Sequence, residues 1–164
     1  MRKSFAMVAA CALFAGTAAA QTTVPTDDFV KKVAISDMFE IQSSQLIAPK
    51  ADADTNTKPF AERMVKDHTK TTNELKMLVQ SGKVKAQLPT ALDAEHQRML
   101  DDLKRLSGKE LDTRYDEIQK KAHQEAVDLF TKYSQGGDNP DLKQWAAKTL
   151  PHLKEHLAMA RKLK

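Results

Sequence analysis

Three of the five histidines in this 164-residue chain, His68, His123 and His156, sit near the middle of separate amphipathic stretches. A glutamate, Glu40, holds a similar place on a fourth stretch. Three imidazoles and one carboxylate would suit Zn(II), Cu(II) or another borderline metal. A buried imidazole must either be hydrogen-bonded or ligate something, because an unpaired buried polar group costs about 1–3 kcal/mol. His152 lies four residues before His156 on the same helix face, so these two form a competing chelating pair. His96, on a shorter stretch, is read as a boundary residue. A plainer reading stands beside the metal one. In it His68 is a structural histidine bonded to Glu40 or to another helix's hydroxyl, a pairing that would favour the charged state of both groups. His123 lies toward the edge of its apolar arc, and His152 is solvated.

Other chemistries find little support. Ferritin-like di-iron sites need Glu-x-x-His on two helices. Here the residues three before His68, His123 and His156 are Val65, Lys120 and Leu153. No Gly-x-Ser-x-Gly elbow and no phosphate-cradling glycine loop occurs. The methionines, among them Met38, Met64, Met77 and Met99, are scattered gap-fillers rather than a copper-binding run. Tyr115 and Trp145 read as core residues with polar handles. The expectation is a non-catalytic protein.

These residues have to be positioned by helices. Thr26 suits an N-cap, with Asp27 and Asp28 favouring the positive end of a first helix that runs to about Ile47 or Ala48. At about 100° per residue, Glu40 projects close to Phe29, Val33 and Ile47, which is an unusual place for a glutamate. Thr57 can cap the second helix, with Pro59 in its first turn, Ser81 near its end and Gly82 as a left-handed C-cap. Its apolar or small residues at 61, 64, 65, 72, 75, 78 and 79 keep the helical period around His68. A shorter helix is expected over Ala91 to Leu106 and is broken by Ser107-Gly108. The next spans about Glu110 to Ser134. After the Gln135-Gly136-Gly137 turn, Asp138 or Asn139 caps a last helix that contains Pro151, which should cost a backbone bond and kink it.

The first twenty residues read as a secretory signal. Arg2 and Lys3 precede an apolar run from Phe5 to Phe14, and Ala18-Ala19-Ala20 offers a cleavage site before Gln21. Periplasmic or secreted location follows as an expectation. Residues 21–26 would be a short tether and 27–164 one helical domain, with no membrane-spanning segment after signal removal. Cys11 is the sole cysteine, so a mature chain would carry no thiolate and no disulfide. A rival reading makes Cys11 a lipoprotein acylation site, but the better cleavage site lies beyond it. Without Arg2 and Lys3, 24 basic residues face 22 acidic ones, a formal +2 instead of +4. Both signs are interspersed along every helix, which argues against a nucleic-acid surface. A protein partner or self-association stays open.

Several local patterns come in a characteristic order: Asp28-Phe29-Val30, Met38-Phe39-Glu40-Ile41, Phe60-Ala61, Met64-Val65 and Asp67-His68. Leu106-Ser107-Gly108, Leu111-Asp112 with Tyr115, and His123 with Ala126-Val127 and Leu129-Phe130 follow. Leu150-Pro151 and His156-Leu157 close the series. From about residue 27 to 160 the chain resembles the bacterial secreted family called domain of unknown function 4142. That resemblance implies an all-α, ferritin-like four-helix bundle with a further helix in the crossover between the two helix pairs. It implies no established activity. The expected role is a binding or structural protein of the envelope, with a Zn- or Cu-binding bundle using Glu40, His68, His123 and His156 as the alternative.

Overall fold

The apolar periods are realised as five helices: α1 (Thr26–Ile47), α2 (Thr57–Gln80), α3 (Ala94–Arg105), α4 (Gly108–Gly136) and α5 (Pro140–Ala160). The computed structural model describes residues 24–50 and 52–163, and all regular structure in them is helical. The expected signal sequence, its expected cleavage site and Cys11 lie outside the described residues. No helix among the described residues is long and apolar enough to cross a membrane.

Several ends are set by local chemistry that differs from the simplest sequence reading. Thr26 does not cap α1. Its hydroxyl donates to Asp138 and shares a 2.6 Å bond with the Tyr133 hydroxyl, pinning the start of α1 to the end of α4. Thr57 likewise spends its hydroxyl on Asp116, at 3.1 and 3.2 Å, rather than on its own helix. The third helix starts at Ala94 instead of Ala91 because the Asp93 carboxylate accepts the His96 amide at 2.9 Å and so fixes the first turn. The fourth is longer at both ends than its apolar period indicates. Gly82 does adopt a left-handed backbone, φ 74°, after α2, and the Asn139 side chain caps α5. Gly137 is needed for space, since a Cβ there would lie 2.5 Å from the Tyr133 ring.

Contacts at the helix ends define the topology. The start of α4 meets the start of α2 through Thr57–Asp116 and through the Asp54 amide on Asp112. The start of α5 meets the end of α2, where Asn139 Nδ2 donates to the Lys83 carbonyl and Trp145 Nε1 to Glu74. Helices α1 and α2 therefore form one antiparallel pair and α4 and α5 the other. Around the perimeter the order is α1, α2, α5, α4. The connection from α2 to α4 must cross the bundle and return along its length, and α3 does this, packing on α1 and α4. This is the ferritin-like arrangement.

Two apolar clusters fill the two ends. One joins Phe29, Val30 and Val33 to Leu75, Phe130, Tyr133, Leu142 and Trp145. The other joins Phe39, Ile47, Phe60 and Met64 to Leu100, Leu103, Leu111 and Tyr115. Between them the buried residues turn polar: Asp37, Glu40, His68, Gln119, His123 and His156.

Candidate metal centre

Each of the four long helices sends polar side chains into this middle layer. Helix α1 carries Asp37 and Glu40 one turn apart, α2 carries His68, α4 carries Gln119 and His123 one turn apart, and α5 carries His156. None of these six side chains belongs to a residue more than 4% exposed. The three imidazoles converge. One ligand nitrogen from each lies within 4.8 Å of the others, and the ring centroids are 5.4 to 5.7 Å apart.

One nitrogen of each ring is held from outside. His68 Nδ1 is 2.7 Å from Asp37 Oδ1, and His156 Nε2 is 2.9 Å from Asp67 Oδ2. His123 Nδ1 lies 3.0 Å from the Gln119 carbonyl, to which it donates. Asp37 is itself fixed, accepting from the hydroxyls of Thr71 at 2.9 Å and Thr72 at 3.3 Å. Asp67 is anchored by Arg63, which also reaches Glu155. The second nitrogen of each ring, His68 Nε2, His123 Nε2 and His156 Nδ1, has no partner. Glu40 Oε2 and both amide atoms of Gln119 complete the buried side-chain atoms left unpartnered among the described residues. All six belong to this one layer, where leaving each unsatisfied costs about 1–3 kcal/mol.

The electrostatics of the three rings differ. Burial pushes His68 down, but the Asp37 carboxylate on Nδ1, with Glu40 and Asp67 nearby, overrides it and leaves the pKa raised. Burial dominates at His123 and brings it down to about 3, helped by the charge on His68. His156 falls to about 4 for the same first reason, against the pull of Asp67. Burial raises the Glu40 carboxyl, while the charge on His68 draws it back. The layer thus sets two rings whose burial disfavours the proton against one whose charged form the Asp37 carboxylate favours.

The arrangement is one that could hold a metal ion: three inward nitrogens, each ring oriented by a carboxylate or carbonyl behind it. A tetrahedral site with metal–nitrogen bonds of about 2.0–2.1 Å sets its nitrogens about 3.3–3.4 Å apart, so the rings would draw together modestly.

The structure brings His68, His123 and His156 together, with Glu40 beside them but outside the 4.8 Å group. His152 faces outward and is exposed. Two expectations are corrected. His68 pairs with Asp37 and not with Glu40 or a hydroxyl, and His123 is 1% exposed instead of lying at the boundary. In both cases neighbouring helices close over the ring, which a single helix's period does not convey. His96 stays peripheral, bonded to Asp93 and against the edge of Phe39. Asp37, Asp67 and Gln119 were missed. The signal for Asp37 was its position three residues before Glu40; for Gln119 it was its place four before His123.

The family model described as domain of unknown function, DUF4142, matches residues 12–163. The chain is a member of that family. No curated protein matches it in sequence. Among solved structures, the fold is similar to one described as CopM in the Cu(II)-bound form, with a TM-score of 0.69 over 86% of this chain and 96% of that one. Identity is 16%, so the likeness is one of fold.

Proposed function

We propose that this DUF4142 member is a non-catalytic metal-binding protein of the bacterial envelope. It takes up one borderline divalent ion, Cu(II) or Zn(II), through His68, His123 and His156. The observation that carries this reading is the set of three unpartnered nitrogens aimed at a common space, each on a ring fixed by its other nitrogen. Six unsatisfied buried atoms are costly as a purely structural layer, and a metal would satisfy half of them. All-nitrogen ligation suits Cu(II) and Zn(II). The fold's similarity to a protein solved with Cu(II) puts copper first among the metals to try. Glu40, beside the imidazoles, supplies the carboxylate that would offset the ion's charge, and the ion would compete with protons for the His68 ring.

The test is metal content and affinity of the protein purified from the periplasm without a histidine tag or chelator. One Cu(II) or Zn(II) per chain in the wild type, lost in His68→Ala with helicity retained, supports the reading. A chain that ignores both ions at micromolar concentration, or binds equally well after His68→Ala, sinks it.

A further inference from the structure

The two grooves between the helix pairs are treated differently. Helix α3 lies over the groove between α1 and α4 and buries its own Leu100 and Leu103 there. Among the described residues nothing covers the groove between α2 and α5, and a cleft of about 560 Å³ opens there. Its walls include His68 and His156, two of the three converging imidazoles, while His123 lies behind them. Its outer wall carries His152, exposed and one turn before His156 on α5. Between outside and inside stands Asp67, about one-third exposed, whose Oδ2 accepts from both His156 Nε2 and Arg63 Nε. A path with a histidine at the mouth, a carboxylate at the neck and two imidazoles at the floor is a graded series of metal ligands.

Resting on the metal-binding reading above, we propose that the α2–α5 cleft is the route by which the ion reaches and leaves the buried imidazoles. His152 captures it at the mouth. His152 takes no part in the final coordination. It shortens the interval between a fully hydrated ion and one held by His156, because two imidazoles one helical turn apart can share a ligand during transfer. Asp67 supports that hand-over as the carboxylate between the two rings: it holds the proton on His156 Nε2, so the lone pair that receives the ion is on the inward Nδ1. The expected signature is kinetic. A ligand on the path lowers the barrier in both directions, so its removal slows loading and release together and leaves the equilibrium unchanged.

The experiment compares stopped-flow uptake of Cu(II) or Zn(II), chelator-driven release and equilibrium affinity in three full-length mature proteins. They are wild type, His152→Ala, and Lys148→Trp, which places a bulky ring on the exposed outer wall of the cleft. Both variants are expected to load and release the ion at least several-fold more slowly, with affinity within about twofold of wild type. Unchanged rates in both would overturn the route. Slowing in Lys148→Trp alone would overturn the role of His152. Weaker affinity at an unchanged uptake rate in His152→Ala would make His152 an equilibrium ligand and overturn the proposal as drawn. Absence of uptake by the wild type is a separate result, since it removes the metal site itself.

Discussion

The end of the bundle around Phe29 and its middle layer are both buried, yet they are built on opposite terms. At the end, Phe29 stacks on Tyr133 at 3.9 Å and meets the edge of Phe130 at 5.0 Å. The polar handles there all have partners: the Tyr133 hydroxyl binds Thr26, and Trp145 Nε1 binds Glu74. One layer inward, the rings are imidazoles, packed at similar distances, and six polar atoms have none. Aromatic packing with satisfied handles stabilises a fold. Converging imidazoles with unsatisfied nitrogens do not, so the middle layer's composition points to a ligand rather than to stability.

Substitutions can break this contrast. Phe29→Ala should produce the largest loss of stability, about 3–5 kcal/mol for a buried aromatic, while a still-folded variant keeps its metal affinity. Denaturant melts and metal titration of the same sample check both halves. Asp37→Asn removes the charge behind His68 and should weaken metal affinity about 10–100-fold, as expected for a partner that orients a ligand. The same change by Phe29→Ala would erase the distinction between the two regions. Replacing Asp37 and His68 together by Leu should cost little stability, or raise it, since buried ion pairs are often replaceable by apolar groups; metal binding should disappear.

The response to acid sharpens the comparison further. His123 and His156 take up protons in the fold only near pH 3 and 4, whereas in the unfolded chain they do so near 6.5. The unfolded state binds protons first, so metal-free stability should fall as pH drops from about 6.5 toward 4. His68 acts in the other sense. Its raised pKa adds stability that is complete below 6.5 and is lost as pH rises through the folded value. Melting temperature against pH should therefore show an acid limb that flattens in His123→Leu and is untouched by Phe29→Ala. The smallest effect is expected away from the layer. Burial raises Asp116 to about 6, so its charged form is disfavoured in the fold, and Asp116→Asn should raise the melting temperature at pH 8 more than at pH 4. An equal shift at both would mean that the Thr57 contact, not the charge, decides.

Much of the fold was legible because each helix carries its own period. Leu75, Leu111 and Leu157 mark buried faces without reference to any neighbour, and Gly82 and Asn139 end or begin helices through local chemistry. Within the middle layer, His68 and His156 stood out as imidazoles in apolar seams. What remained hidden depended on pairing between helices. Thr26 and Thr57 look like caps until their hydroxyls are found on Asp138 and Asp116. Asp37 reads as an ordinary polar residue until α2 places His68 against it. The cleft depends on α3 covering one groove and leaving the other open, a choice made by the crossover rather than by any single residue.

The central claim concerns three particular nitrogens, and electron paramagnetic resonance of the protein loaded with one equivalent of Cu(II) tests it most directly. The account predicts one species whose hyperfine structure reports three imidazole nitrogens, falling to two or fewer in His123→Leu. A spectrum unchanged in His123→Leu, with the ion held at exposed His152 or His96, would contradict it.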